Sequence, residues 1–159
     1  MSRRGVVVVA STRAATGVYD DRTGPIIRDW MSARGLETTD PVVVPDGPEV
    51  AAALATALAA RPALLVTTGG TGISPSDSTP DATAALLDVE VPGFHEELRR
   101  RGAASTPFAL LTRGVAGVAG GTFVVNLPGS TGGVRDGLGV LDDILDHVLD
   151  QIDGGHHDA

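Results

Sequence analysis

The chain has 159 residues and no cysteine, and its 42% apolar content is almost entirely aliphatic, which favours one domain of helices packed on a buried sheet. A formal net charge of −8 disfavours a nucleic-acid partner, because binding to a phosphate backbone normally requires a basic face. The apolar runs are too short to span a bilayer and no signal-peptide core is visible, so we expect a soluble, cytoplasmic protein without a membrane partner.

Short apolar runs alternate with amphipathic segments in the first part of the chain. The segment 24–35 has apolar residues at helical spacing with Thr23 as its expected N-cap, and a second helix should begin after Asp46 and end before Pro62. This β-α-β-α-β order predicts a parallel sheet with right-handed crossovers. The three expected strands lie at 5–10, 41–45 and 63–66.

The second part of the chain is less regular. We predict a helix that begins near Thr79 as its N-cap, another over 93–102, and a strand in TFVVNLPG at 122–129. The glycines between 114 and 121 indicate a hairpin or a bulge before that strand. Apolar residues at steps of three or four from Val134 onward predict a terminal amphipathic helix. We therefore expect one domain over 1–153 and a flexible polar tail over 154–159.

A glycine-rich stretch, TTGGTGISPSDSTPDAT, occupies 67–83 and follows the third expected strand. Glycine permits positive φ angles and close approach of a ligand, and successive N–H groups of such a loop can bind phosphate. Asp77 lies between this loop and the next helix N-terminus, where a carboxylate repels phosphate unless a cation such as Mg²⁺ separates them. The residues alone equally allow an ordinary loop in which Asp77 accepts local N–H groups.

This stretch resembles the signature of the MogA/MoaB family of molybdenum-cofactor biosynthesis proteins, whose usual form is close to TTGGTG-x-x-x-R-D-x-TP-E/D-A-T. Five blocks in the family order are more specific than any one of them. The four further blocks read STRAATGVYDDRTGPIIRDWM, VVPDGPEV, VPGFHEELR and VVNLPGSTGGVRDGL.

The resemblance implies an α/β fold, namely a three-layer α/β/α sandwich with a mostly parallel central sheet, assembled as a homotrimer. It implies binding of molybdopterin through its terminal phosphate and dithiolene. In the MogA branch it further implies Mg²⁺-ATP-dependent adenylylation of that phosphate with release of pyrophosphate. ATP and molybdopterin are then substrates, Mg²⁺ is the cofactor, and a downstream metal-insertion protein is an expected partner.

The family's two functional acids match Asp46 and Asp77, to which we assign catalysis and Mg²⁺ binding. Judged from the residues alone, Asp46 is better explained as a helix N-cap, the NLPGS segment as a strand-ending turn, and Glu96 equally as a solvated helix residue. With the family in view, we expect Glu96 to line the pterin pocket. The expected phosphate- and pterin-binding residues are Ser11, Arg13, Thr68, Gly69, Gly70, Thr71, Gly72, Ser74, Thr79, Glu96, Asn126, Pro128, Gly129 and Ser130.

Two departures from the family pattern bear on activity. The arginine that often precedes the signature aspartate is Ser76 here, which removes a cation able to contact phosphate. The usual proline and basic residue after LPGS become Thr-Gly-Gly at 131–133, so Arg135 is the nearest positive charge. Two alternatives therefore stay open: a non-catalytic molybdopterin-binding or scaffold paralogue, and a nucleotide pyrophosphatase-like enzyme of the same fold.

Other polar residues have simpler explanations. The arginines at 99–101 suit a solvated helix end, whose dipole they complement, better than a nucleic-acid patch. His156 and His157 are adjacent in the tail, which is a poor spacing for metal ligands. Trp30 is expected in the core.

Overall fold

The computed structural model describes residues 2–154, so the expected tail lies outside the described residues except for Gly154. Within that range seven strands form one sheet: β1 (Arg4–Ala10), β2 (Glu37–Thr38), β3 (Val42–Val44), β4 (Leu64–Thr68), β5 (Val89–Glu90), β6 (Ala116–Ala119) and β7 (Thr122–Leu127). The helices in the same range are α1 (Thr12–Ala15), α2 (Thr23–Ala33), α3 (Pro48–Ala59), α4 (Thr79–Ala84), α5 (Gly93–Ala103) and α6 (Thr131–Ile152), with a 3₁₀ helix over Pro107–Leu111.

The centre of the sheet is parallel. β4 lies between β1 and β7, and β1 also pairs in parallel with β3 and with β2 at its other end. β6 pairs antiparallel with β7 through a tight hairpin at Gly120, where φ is 59°, and with the edge strand β5. The continuous β-branched run of β1 fits a strand covered on both faces, as the sequence predicts.

Helices cover both faces of this sheet, which confirms the three-layer fold. Val7 and Val9 face a core built with α2, α5 and α6, whereas Val8 and Ala10 face a second core built with α3 and α4. These four side chains are at most 3% exposed, as the two-residue periodicity of a doubly covered strand requires. Trp30 is half-buried on the first core, and its Nε1 donates to Asp142 at 2.8 Å.

The topology brings four loops to one edge of the sheet. β1, β3, β4 and β7 are mutually parallel, so their carboxyl ends lie together. Open α/β sheets bind ligands at this edge, because the loops there project beyond the strands. The segments that leave it are Ser11 after β1, Asp46 shortly after β3, Gly69 after β4 and Pro128 after β7.

Several element boundaries differ from the predictions. Thr23 and Thr79 are the first residues of α2 and α4 rather than their N-caps, which are Arg22 and Ser78. Near the start of α2, the Asp21 carboxylate accepts the Gly24 N–H at 3.1 Å. The two-residue strands β2 and β5 and the one-turn helix α1 lie in segments too short for a periodicity signal. Within residues 2–154 no helix is both long enough and apolar enough to cross a bilayer.

Candidate functional site

The glycine-rich loop begins where β4 ends, and its first two glycines have left-handed backbone. The φ angles are 88° at Gly69 and 65° at Gly70, a region that residues with a Cβ rarely adopt. A Cβ at Gly69 would collide with the Ala10 carbonyl oxygen at the end of β1. On the other side, the Gly69 N–H donates to the Leu127 carbonyl of β7 at 3.1 Å. The loop is therefore held against both neighbouring strands.

Asp46 lies against this loop and against the start of α1. A Cβ on Gly70 would be 3.1 Å from Asp46 Oδ1, so the absence of a side chain there lets the carboxylate approach the loop. Thr12 and Asp46 bond reciprocally, since the Asp46 N–H donates to the Thr12 hydroxyl at 3.1 Å and Asp46 Oδ2 accepts from Thr12 at 3.4 Å. The residue that caps α3 is Gly47, without a side-chain hydrogen bond. This geometry rules out the N-cap explanation of Asp46.

Asp77 lies on the far part of the same loop and is half-buried. Its Oδ2 accepts the Ser74 N–H at 3.2 Å, and a Cβ on Gly72 would be 2.9 Å from that oxygen. The loop thus folds back so that the carboxylate lies beside its own glycines. The local N–H contact expected from the residues alone is present, and it leaves Asp77 Oδ1 without a protein hydrogen bond in the described range.

Both acids line one cleft, which we call the carboxylate cleft. Its volume is about 650 Å³, and Arg13 and Arg22 also line it. Both arginines are exposed, and neither forms an ion pair within residues 2–154. A cleft with unpaired cations and nearby carboxylates suits an anion accompanied by a metal ion. Its lining includes Ser11, Arg13, Arg22, Asp46, Gly70 and Asp77.

A second cavity of about 520 Å³ lies on the other side of the glycine-rich loop, and we call it the apolar cavity. Apolar side chains from α5 and the 3₁₀ helix form much of its wall, and polar groups enter from the loop and from the start of α6. Such a lining suits a flat ligand whose faces pack against apolar side chains and whose edges contact polar groups. Its lining includes Thr71, Gly72, Leu98, Phe108, Pro128 and Ser130.

The segment after β7 borders both cavities. The Thr68 hydroxyl donates to the Pro128 carbonyl at 2.7 Å, which fixes this turn to the start of the glycine-rich loop. A Cβ on Gly129 would be 3.4 Å from Gly69 Cα, so the two turns are in close contact. Ser130 caps α6 by accepting the Gly133 N–H at 3.1 Å. Pro128 and Ser130 line the apolar cavity, whereas Thr68 and Gly129 line the carboxylate cleft.

Four of the expected binding residues line neither cavity. Thr79 is fully buried below the loop, and its hydroxyl has no hydrogen-bond partner among residues 2–154. Ser74 is exposed, with its N–H engaged by Asp77. Glu96 lines a third cavity together with His95 and Arg113, and its expected contact with the pterin stays a prediction.

Asn126 is the fourth of these residues and is fully buried. Its Nδ2 donates to the hydroxyls of Thr67 and Thr83 at 2.9 and 3.0 Å, and its Oδ1 accepts the Val115 N–H at 3.0 Å. Every polar atom of the amide therefore has a protein partner. The side chain joins strands and helix beneath the site and does not reach the carboxylate cleft or the apolar cavity.

His95 extends this buried network. Its Nε2 donates to the Asn126 carbonyl at 2.8 Å, and since a carbonyl can only accept, this nitrogen carries the proton of the neutral ring. Burial lowers the pKa of His95 to about 4, a shift that the Asn126 hydrogen bond opposes and the nearby Arg99 charge reinforces. The ring is therefore neutral at physiological pH.

Two residues near the site are absent from the sequence-based assignment. Arg22 lines the carboxylate cleft just before α2. Arg113 follows the 3₁₀ helix and donates to the Gly72 and Asp77 carbonyls at 2.8 and 3.0 Å. Arg135, named as the nearest cation from the sequence, lines neither cavity. No local motif identifies Arg113, because its partners lie 36 and 41 positions away.

The donor set of the carboxylate cleft fits Mg²⁺ carried by a phosphate ligand. Asp46 and Asp77 offer carboxylate oxygens, the ligands that Mg²⁺ prefers. Within residues 2–154 no three acidic, histidine or cysteine side chains are grouped closely enough to hold a metal alone. Mg²⁺ typically takes one or two protein carboxylates and completes its shell with water and substrate phosphates, so this sparse set is the expected one.

Comparison with known proteins agrees with this architecture. A family model described as "Probable molybdopterin binding domain" matches residues 6–147. The solved structure of the molybdopterin biosynthesis Mog protein from Mycobacterium ulcerans is 53% identical and superposes with a TM-score of 0.91, covering 95% of this chain and 99% of that one. The fold of this chain is therefore shared with that protein over nearly its whole length.

Curated relatives lead to the same family. A molybdopterin adenylyltransferase of Escherichia coli K12 is 35% identical over 154 residues, covering 92% of this chain and 77% of that protein. A molybdenum cofactor biosynthesis bifunctional protein of Synechococcus elongatus is 38% identical over 152 residues, 95% of this chain and 48% of its own length. The chain thus spans about half the length of that bifunctional relative. The chain belongs to the MogA/MoaB family of molybdenum-cofactor biosynthesis proteins.

Proposed function

We propose that this protein transfers the adenylyl group of ATP to the terminal phosphate of molybdopterin and releases pyrophosphate. The observation that supports it best is the division of the site by the glycine-rich loop. A charged cleft with two carboxylates lies on one side, and a mostly apolar cavity lies on the other. This arrangement suits the reaction, in which a highly charged nucleotide meets a phosphorylated ring compound.

In this proposal each substrate occupies the cavity that suits its chemistry. The triphosphate lies in the carboxylate cleft, where Arg13 and Arg22 offset part of its charge. The pterin ring lies in the apolar cavity between the 3₁₀ helix and the start of α6, with Thr71 and Ser130 at its polar edge. The two phosphates then meet at the glycine-rich loop, which borders both spaces.

The chemical step joins two anions. An oxygen of the molybdopterin phosphate attacks the α-phosphorus of ATP, the bond from that phosphorus to the bridging oxygen of the β-phosphate breaks, and pyrophosphate leaves with the electron pair. Catalysis of this step is mainly positioning and charge neutralisation. Asp46 and Asp77 would hold Mg²⁺, which supplies positive charge against the phosphate oxygens when bound. The N–H groups around Gly70 provide further donors without requiring a side chain.

Incubation of the purified protein with molybdopterin, ATP and Mg²⁺ tests this reaction. We expect adenylylated molybdopterin and pyrophosphate in equal amounts, measured by chromatography and a pyrophosphate assay. Bound molybdopterin without any adenylylated product would contradict the proposal. Cleavage of a dinucleotide in the absence of pterin would instead support the pyrophosphatase-like alternative.

One observation favours the second candidate, a non-catalytic molybdopterin-binding or scaffold paralogue. Ser76 lines the carboxylate cleft at the position where the family signature usually has arginine, so this part of the cleft lacks a cation. Thr131 also lines this cleft, at a position where the family usually has proline. The retention of both Asp46 and Asp77 in one cleft leads us to place the transferase first.

We also propose that the protein assembles as a homotrimer, the state expected from the family. Several large apolar side chains near the third cavity are mostly exposed, including Ile73 at 69% and Leu110 at 61%. A second copy that covers this surface would remove them from water, which is favourable by about 25 cal/mol per Å². A downstream metal-insertion protein stays an expected partner of the product-bound form.

A further inference from the structure

Arg113 holds the glycine-rich loop by three hydrogen bonds to its backbone. The guanidinium donates from Nε to the Gly72 carbonyl at 2.8 Å and from Nη2 to the Asp77 carbonyl at 3.0 Å. The Arg113 N–H donates to the Thr71 carbonyl at 2.8 Å. One residue therefore fixes three carbonyl groups, at both ends of the segment that contains Asp77.

These bonds determine where the N–H groups of the same peptides point. A trans peptide is planar, with its C=O and N–H directed to opposite sides, and the peptides of residues 2–154 are trans. Since the carbonyls of Thr71, Gly72 and Asp77 face Arg113, the following N–H groups face away from it. Those donors belong to Gly72, Ile73 and Ser78.

The three N–H groups have no acceptor within residues 2–154. The hydrogen bonds of the loop involve the N–H groups of Gly69, Ser74, Asp77 and Thr79, and none from Gly72, Ile73 or Ser78 to an acceptor within residues 2–154. Backbone N–H groups are strong donors that normally find a partner. The Arg113 guanidinium orients the Ile73 and Ser78 donors, and the Arg113 main-chain N–H orients the Gly72 donor. Unpaired backbone donors held in this way resemble the backbone concavities that bind phosphate oxygens.

We propose that Arg113 is a positioning residue that orients the N–H groups of Gly72, Ile73 and Ser78 to bind a phosphate group. The identity of that phosphate rests on the proposed function, since ATP and molybdopterin both carry one. Arg113 acts through the backbone and not as a phosphate ligand, because its guanidinium is engaged by carbonyls and lines the third cavity. Its ion pair with Asp81 is long, at 3.5 Å, and largely exposed, so it contributes little to this geometry.

The wild-type protein gives the first test, by amide NMR during titration with inorganic pyrophosphate in the presence of Mg²⁺, which offsets the Asp77 charge beside Gly72. We expect the Gly72, Ile73 and Ser78 resonances to shift together, while Gly121 in the distant hairpin stays unchanged. Absence of a shift at the three amides would overturn the proposal, whatever the variants do. Parallel titrations with ATP and with molybdopterin show which phosphate uses these donors.

Arg113→Met and Arg4→Met provide the matched comparison. Arg4 also donates its guanidinium to backbone carbonyls, those of Ala60 and Arg61, but it lies at the amino end of β1, away from the glycine-rich loop. We expect Arg113→Met to weaken pyrophosphate binding at least about tenfold and to abolish the Ile73 and Ser78 amide shifts, and Arg4→Met to do neither. Arg113→Lys should recover only part of the binding. Its ammonium can still donate to a carbonyl, but it lacks the planar fork that reaches two carbonyls.

Two outcomes contradict the positioning role. One is unchanged pyrophosphate affinity in Arg113→Met, and the other is an equal loss in Arg4→Met, which would indicate general destabilisation. The wild-type titration does not depend on folding of the variants. Adenylyl transfer is a separate measurement: amide shifts without transfer would support the role of Arg113 and contradict the proposed function.

Discussion

Two glycines with similar left-handed backbone differ in what surrounds them. Gly69 has φ of 88° and faces the Ala10 carbonyl, whereas Gly17 has φ of 78° and open space within 4 Å. An alanine in this region costs roughly 1–2 kcal/mol from backbone strain alone. We therefore expect Gly17→Ala to lower the free energy of unfolding by about that amount and Gly69→Ala to lower it further.

Urea denaturation of both glycine variants measures this difference. The additional loss in Gly69→Ala reports the collision with β1, because the backbone cost is common to the two. Equal losses would show that the loop can move away from Ala10, and its close contact with β1 would then not be required for the site.

The buried ring of His95 predicts a pH dependence of stability. Its pKa is about 4 in the folded protein against 6.5 for the ordinary side chain. A depressed pKa means that the unfolded chain binds the proton more readily, so stability is full above about pH 6.5 and is lost as the pH falls toward 4. The loss amounts to about 3 kcal/mol at low pH.

Comparison of the wild type with His95→Gln isolates this effect from the carboxylates that titrate in the same range. Between pH 7 and pH 4 the wild-type free energy of unfolding should fall by about 3 kcal/mol more than that of the variant. Parallel curves would show that His95 is not buried as a neutral ring.

At the scale of elements, the Asn126 amide connects β7 to β4, to α4 and to the segment before β6. Asn126→Ala removes these bonds and leaves the N–H of the half-buried Val115 without its partner. Each lost bond costs about 1 kcal/mol and an unsatisfied buried donor about 1–3 kcal/mol. We expect a loss of roughly 3–5 kcal/mol in the free energy of unfolding, measured by denaturation.

Thr83→Val is the narrower change, since it removes one acceptor of the amide and the bond from the Thr83 hydroxyl to the Thr79 carbonyl. It should cost clearly less than Asn126→Ala. If Asn126→Ala kept its stability and lost only affinity for molybdopterin, the direct binding role expected from the family would be correct and the structural role wrong.

The sequence predicts the main elements because their signals are local. The β-branched run of β1 and the three-to-four spacing from Val134 each report a periodicity that burial produces. The sequence predicts those parts of the site that belong to short motifs, such as the loop from Gly69 to Gly72, and the family resemblance adds Asp46 and Asp77, which line the same cleft. Arg113 and Asn126 contact partners that are distant in sequence. The sequence therefore does not show that Arg113 holds the glycine-rich loop. Nor does it show whether Asn126 joins buried elements or contacts a ligand.

At the scale of the whole molecule, the proposed homotrimer requires an apolar surface that is covered by another copy. Leu110 is 61% exposed beside the third cavity, and Val18 is 71% exposed on the loop after α1. We expect Leu110→Asp to shift the protein from trimer to monomer, because a charge would be buried in the interface. Val18→Asp should leave the trimer intact.

Sedimentation equilibrium decides the state of both variants. A wild-type mass equal to that of one chain would contradict the homotrimer outright. A trimer that survives Leu110→Asp would place its interface on another surface.

The account as a whole depends on Asp77 acting on the nucleotide and not on pterin binding or on the fold. The most direct measurement is the adenylyl-transfer rate of Asp77→Asn, with molybdopterin affinity determined in parallel and with Asp40→Asn, an exposed acid outside both cavities, as the control. We predict a rate at least about 100-fold lower with molybdopterin affinity nearly unchanged, and a normal rate for Asp40→Asn. A wild-type rate in Asp77→Asn, or an equal loss of rate and molybdopterin affinity, would contradict the account.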